Sequence, residues 1–319
     1  MTGRALLPQA RRWFSEATVQ SVPWTAEQLI AAKQDRTVSV VLPALNEQAT
    51  VGALVDALRP LIGGLIDELV VMDSGSTDCT AEVARNAGAR VVQRTDVLPE
   101  VAPWPGKGEV LWRSLAATAG DVLVFIDSDL IDFDAGFVPA LLGPVLLRQR
   151  SGRVALVKGF YRRPLRIESA EVGTGGGRVT ELLARPLLNA LRPELAGVVQ
   201  PLGGEYAATR EFLESVPFAA GYGVEIGLLL DAHTRYGLDG LAQVNLGVRK
   251  HRNRSLLELG VMSRQILGAA LPRCGVAETG GSTGITQFVQ LGARFLPTES
   301  DVLVADRPPM RDVLAARSA

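Results

Sequence analysis

Between Thr37 and Asp134 the chain alternates short, almost wholly apolar runs with longer segments of helical spacing. The runs are Val38–Leu42, Glu68–Met72, the segment ARVVQR and the segment GDVLVFIDSDL. Gln48–Arg59, Thr80–Ala87 and Glu109–Ala119 carry the helical pattern, and Gly88 suits a C-terminal cap. Such alternation predicts βαβ units on a parallel sheet. Strands that are apolar at every position mean that both sheet faces are covered. Three of these strands end in compact polar segments: PALNE, DSGSTD and DSDL. In an open α/β sheet ligands bind at the carboxyl ends of the strands, so the three segments converge on one place.

Beyond Asp134 the pattern loosens. It reads as a helix over 136–149, a strand ALVKGFYRR, a glycine run GTGGG and a helix from Val179 to Leu191. The segment GVVQPLGGEYAATREFLESV returns towards the sheet, Tyr222–Tyr236 is largely helical, and LAQVNLGVRKHRNRS is a strand entering a charged loop. The apolar remainder is expected to be helical to about Leu296. Residues 1–36 form a separate N-terminal segment with a helix around Trp24 to Ala32, and its ARRWF stretch packs on the surface or touches a membrane. Residues 37–150 are the nucleotide-binding half, and 151–319 are an acceptor-binding extension of the same unit with C-terminal helices.

With 47% hydrophobic residues, 319 positions are enough for a sizeable core. A formal net charge of −1 leaves no overall field for nucleic acid or an anionic membrane, so any anionic ligand must be held locally. No signal peptide and no apolar run of about 18 residues is present, which predicts a soluble cytoplasmic protein without membrane insertion. Cys79 and Cys274 lie outside any CxxC motif and are expected to be buried, reduced thiols.

Asp127-Ser128-Asp129 closes the strand VLVFI. Two carboxylates at one strand end repel unless a cation intervenes, and a divalent ion bridging them to a diphosphate meets that need with hard oxygen ligands. The bland alternative is a pair of aspartates starting the next helix. Capping also explains Thr77 and Asp78 but not Asp73. Pro43-Ala44-Leu45 presents backbone, and Asn46 and Glu47 can hydrogen-bond a base edge. Lys107, between glycines in PWPGKG, either approaches a phosphate or is an exposed loop lysine. His251 sits in a basic run, RKHRNR, as a ligand or as a solvated side chain; His233 and Asp231 fall in a helix and read as structural.

Gly175-Gly176-Gly177-Arg178-Val179-Thr180 offers free amides at a helix N-terminus, a bidentate guanidinium and a hydroxyl, a good cradle for a small double anion. The alternative is a glycine loop with an exposed arginine. Asn253 could add a contact from the His251 loop. Glu225, opening an apolar helix, serves either the helix dipole or the sugar hydroxyls.

In this order and spacing, VVLPALNE, VVMDSGSTDCT and VFIDSDL resemble the GT-A glycosyltransferase domain, a Rossmann-like, mainly parallel α/β sheet with helices on both faces. PWPGKGEVLW, GTGGGRVTELLARPLLN, PLGGEYAATR, GYGVEIGLLLD and VRKHRNRSL extend the resemblance over nearly the whole chain to the actinobacterial glucosyl-3-phosphoglycerate synthases. That resemblance implies retaining transfer of glucose from UDP-glucose to 3-phosphoglycerate with Mg2+ or Mn2+, in the initiation of methylglucose lipopolysaccharide synthesis. The apolar C-terminal helices expected around residues 256–296 either form a homodimer interface or pack onto their own domain. It places Pro43, Ala44, Leu45, Asn46, Glu47, Ser74, Lys107, Asp127, Ser128, Asp129 and Leu202 at the donor. It places Gly177, Arg178, Val179, Thr180 and Asn253 at the acceptor, and Asp129 and His251 on the metal. Glu225, Lys107 and Asp129 are the catalytic candidates.

Two other readings compete. A nucleotidyltransferase needs a glycine-rich triphosphate loop with a basic residue after the first strand, and PALNEQATVG lacks one. A non-catalytic nucleotide-sugar binder would not need Asp129, Lys107 and His251 together. For the transfer itself, same-face attack with the metal as Lewis acid on the diphosphate competes with double displacement through Glu225.

Overall fold

The structure is a computed structural model that describes residues 6–147, 154–162, 165–167, 170–172, 177–248, 255–278 and 283–318. Its centre is an eight-stranded sheet of β1 (Thr18–Val19), β2 (Val38–Ala44), β3 (Glu68–Asp73), β4 (Arg90–Gln93), β5 (Val122–Phe125), β6 (Leu156–Arg162), β7 (Tyr206–Thr209) and β8 (Leu241–Val248). In space the order is β1-β8-β6-β7-β5-β2-β3-β4. Both halves of the chain therefore share one sheet. All neighbours are parallel except β7, which runs antiparallel to both β5 and β6. From β2 the chain builds outward through β3 and β4, then returns to place β5 on the other side of β2. The switch point lies between β2 and β5, and their carboxyl ends carry PALNE and DSDL.

Alternate residues of the strands feed two cores. Val41, Val70, Met72, Leu123 and Phe125 pack with Leu111, Trp112 and Leu115 of α5 (Lys107–Ala117) and Leu228 and Leu229 of α9 (Val224–Tyr236). Val40, Leu42, Val71 and Val124 face Leu54 and Leu58 of α3 (Val51–Leu58) and Leu141 and Leu142 of α6 (Phe137–Leu147). This is the two-faced covering that the apolar strands predict. Helices α1 (Pro8–Ala17) and α2 (Ala26–Lys33) lie N-terminal to β2. The aromatic of the ARRWF stretch is packed: Trp13 is buried and donates its indole N–H to Leu241 O at 3.0 Å.

Three expectations need correction. The C-terminal segment is not helical to Leu296; α10 (Leu256–Arg273) ends well before it, and Gly284–Leu291 and Arg294–Asp301 pair as an antiparallel hairpin. Gly292, at φ +61, supplies the left-handed turn, and Ile285, Thr286 and Val289 favour extended backbone. α5 begins at Lys107 rather than Glu109, so the lysine is the first residue of the helix and not part of the preceding loop. Cys79 is exposed at the N-cap of α4 (Thr80–Asn86) rather than buried, while Cys274 is half-buried. Among the described residues no helix is long and apolar enough to cross a membrane.

Candidate active site

At the carboxyl edge of the sheet, hydrogen bonds lace the three polar segments together. Asn46 adopts the left-handed region at φ +57, and its amide donates to Ser76 Oγ at 2.9 Å. Its Oδ1 accepts from the Thr77 amide at 2.8 Å, and the Glu47 amide donates to Thr80 Oγ1 at 2.8 Å. The buried Asp73 carboxylate accepts from the Ser76 amide and, at 2.6 Å, from Gln93 Nε2. Thr50 Oγ1 joins the third segment by donating to Ser128 O at 2.6 Å. These bonds leave Leu45 54% exposed on the rim, with Pro43 and Glu47 half-buried and Ala44 buried beneath. Ser74 is held by its amide to Ala44 O at 2.9 Å and by Arg94 Nη1 at 3.3 Å.

Lys107 stands at the centre. Its ammonium is ion-paired with Asp127 at the end of β5 and with Glu225, 2.8 Å away, in the first turn of α9. The helix can start there because α5 enters against the Phe218–Gly221 backbone. A Cβ on Gly108 would lie 1.8 Å from Ala219 O, so only glycine fits, and the Glu109 amide donates to Ala220 O. Burial alone would lower the Lys107 pKa, yet the charges of Asp127 and Glu225 outweigh it and hold the pKa well above the ordinary lysine value. The cation persists at any physiological pH.

The turn Pro201–Gly204 lies over this pair. A Cβ on Gly204 would approach Asp127 Oδ2 to 2.4 Å and Lys107 Nζ to 2.6 Å. Leu202 is half-buried in the same turn. Below lie residues that the motifs did not reveal: Lys158 on β6, and Glu205 and Tyr206 at the start of β7, all buried. The signal was a lysine inside the apolar run ALVKGFY, where a strand core otherwise carries no charge.

A hard divalent cation suits the donor set at 127–129. Asp127 and Asp129 are half-buried carboxylates, the first paired with Lys107, and between them Ser128 Oγ is buried with no hydrogen-bond partner among the described residues. The described residues contain no group of three His, Cys, Asp or Glu that would hold an ion unaided. Hard carboxylate oxygens of this kind suit Mg2+ or Mn2+. His251 and Asn253 lie outside the described residues. Gly177, at φ +87, Arg178, Val179 and Thr180 open a helical segment that runs as a π-turn over Thr180–Ala184 into α7 (Arg185–Leu191). Arg178 is exposed and Thr180 buried.

A buried ionic network fixes the first turn of α5 from behind. Glu109 Oε1 accepts from Arg113 Nε at 2.7 Å, and Glu109 Oε2 accepts from Arg307 Nε at 2.6 Å. The Arg307 guanidinium also stacks 3.7 Å from the Trp104 ring centroid. The C-terminal segment thereby clamps the PWPG loop that leads into Lys107. In the second half of the chain, Asp231 pairs with Arg273 at 2.9 Å, joining α9 to α10 (Leu256–Arg273).

The family model "Glycosyl transferase family 2" matches residues 39–150. The glucosyl-3-phosphoglycerate synthase of Mycolicibacterium smegmatis is 62% identical over 299 residues, covering 94% of this chain and 97% of its own. The chain belongs to the glucosyl-3-phosphoglycerate synthase family. The family member of Mycobacterium tuberculosis (strain ATCC 25618 / H37Rv) is 59% identical over 298 residues, 90% of this chain and 89% of its own. A crystal structure of the Mycobacterium tuberculosis synthase in complex with Mn2+, UDP and glucosyl-3-phosphoglycerate matches with TM-score 0.84 and 56% identity, covering 93% of this chain and 99% of that one. Another structure of that synthase, with Mg2+ and UDP, matches with the same TM-score of 0.84 and the same coverage. The fold is the GT-A arrangement expected of the synthase family.

Proposed function

We propose that the chain transfers glucose from UDP-glucose to 3-phosphoglycerate with retention of anomeric configuration, releasing UDP. The observation that carries this reading is the meeting of Lys107 with Asp127 and Glu225 at the switch point, which joins the donor motif to the start of α9. Pro43, Ala44, Leu45, Asn46, Glu47 and Ser74 form the uridine side. Leu202 and Gly204 floor the diphosphate, and Lys107 supplies a fixed positive charge as the leaving group gains negative charge. Mg2+ or Mn2+, held through Asp129 with His251, would act as a Lewis acid on the departing diphosphate. Glu225, already bonded to Lys107, orients the glucose hydroxyls and faces the positive charge that develops at the anomeric carbon. Gly177–Thr180 with Asn253 takes the acceptor's phosphate and carboxylate.

No side chain need act as nucleophile here, because the acceptor hydroxyl attacks from the face the diphosphate leaves and gives its proton to a phosphate oxygen. Trapping a glucosyl-enzyme on Glu225 would overturn that route. The product would enter methylglucose lipopolysaccharide synthesis in the cytoplasm. A homodimer is supported by the exposed apolar hairpin, where Phe288, Leu291 and Phe295 are 64%, 70% and 67% exposed.

The test is release of UDP from UDP-glucose with and without 3-phosphoglycerate, with and without chelator. Release that requires both acceptor and metal is expected. Pyrophosphate release would mean a nucleotidyltransferase, and binding without turnover would mean a nucleotide-sugar sensor.

A further inference from the structure

Lys158 is 3% exposed, on a strand whose other inward positions are apolar. Its ammonium donates to Gly203 O at 2.5 Å and lies 4.9 Å from the centroid of the Tyr206 ring. Tyr206 sits opposite Lys158 in the β6–β7 register, and on β8 the opposite residue is the uncharged Gln243. The charges facing Lys158 are Glu225 from α9, Lys107 from α5, Glu205 from the edge of β7 and Asp127 from the end of β5. Burying a lysine here is unfavourable: desolvation, with repulsion from Lys107, lowers its pKa to about 8 against the attraction of the carboxylates. A hydrophobic side chain would fold more comfortably in this place. Residues kept at a cost in stability concentrate at functional sites.

The carbonyl that Lys158 grips belongs to the turn Pro201–Gly204. Gly204 in that turn abuts the Lys107–Asp127 pair so closely that a single methyl would collide with both. Gln200 Nε2 adds a second tie from the same segment to Tyr161 O at 2.6 Å, again on β6. The turn is thus hung from one strand and pressed on the ion pair. We propose that Lys158 is a positioning residue for the transfer: it holds the turn Pro201–Gly204 against Lys107 and Asp127 and so fixes the ammonium that faces the donor diphosphate. This rests on the proposed transfer.

The test is Lys158→Met in the full-length chain, beside the wild type. Wild-type transfer is the control: its absence would sink the proposed function, whereas normal wild-type transfer leaves only the role of Lys158 in question. Expected for the variant is a kcat at least tenfold lower and a raised KM for UDP-glucose. The KM for 3-phosphoglycerate should stay unchanged and the thermal midpoint should not fall. Amide hydrogen exchange should quicken in 200–204 and not across β6 and β7 as a whole. A kcat within twofold of wild type would overturn the proposal. So would a fall in thermal midpoint with faster exchange throughout the sheet, which would mark Lys158 as structural support alone. If Lys158→Met does not fold, the same readings on Lys158→Gln decide.

Discussion

Lys107 is bound by two carboxylates from different parts of the chain, one ending β5 and one opening α9. Removing its charge leaves Glu225, 5% exposed at the side chain, without its counter-ion. In the proposed transfer it also removes the cation that faces the leaving group. Lys107→Met should lower kcat by about a hundredfold or more, the scale seen on removal of a single transition-state donor. Steady-state UDP release checks it. Lys158 differs because burial wins over attraction. Its folded pKa is about 8 against the ordinary lysine value of 10.5, so the folded chain releases this proton before the unfolded chain does. The stability linked to this group is therefore fully present above 10.5 and lost as pH falls through about 8. Any stability advantage of Lys158→Met over the wild type should shrink as pH rises through that window. Denaturant melts at several pH values measure it. At this scale the motif residues were legible in sequence, because their polar types break apolar strands at the carboxyl edge. Lys158, Glu205 and Gly204 were not, since each is defined by what lies across a strand or turn boundary.

At the scale of elements, α5 depends on its rear anchorage. Glu109 is wholly buried with Arg113 and is bonded to Arg307 from the far end of the chain. Removing one partner of a buried ion network strands the remaining charge. Arg307→Ala should destabilise the fold by about 3–5 kcal/mol, read by chemical denaturation. It should also lower activity in the folded fraction, because α5 starts at Lys107. The strands β2, β3 and β5 were readable from their unbroken apolar runs, to within two residues at their ends. The C-terminal hairpin was not, because Gly284–Leu291 is largely exposed and its mixed apolar and polar residues fit a helix as well as a strand. Only pairing with Arg294–Asp301 resolves that choice. The early start of α5 was hidden for a related reason. A glycine on each side of Lys107 looks like a loop until the close approach of Ala219 explains Gly108.

For the molecule as a whole, metal and nucleotide binding should be linked. In the proposed transfer, the carboxylates at 127–129 and the donor diphosphate share the metal, because hard divalent cations commonly take substrate phosphate oxygens beside one or two carboxylates. Mn2+ alone should leave the thermal midpoint unchanged, whereas Mn2+ with UDP should raise it by a few degrees through preferential binding to the folded state. Excess chelator should abolish both the shift and the turnover. A differential scanning measurement with the four combinations tests this. The sequence alone determined the parallel sheet, its covered faces and the gathering of PALNE, DSGSTD and DSDL at one edge, since hydrophobic period and strand-end polarity are local properties of the chain. Only the tertiary structure decided what Lys107 touches, which turn covers it and which buried lysine holds that turn. Those contacts join residues from 20 to a little over a hundred positions apart, and their energies depend on burial and opposed charge that no local pattern encodes.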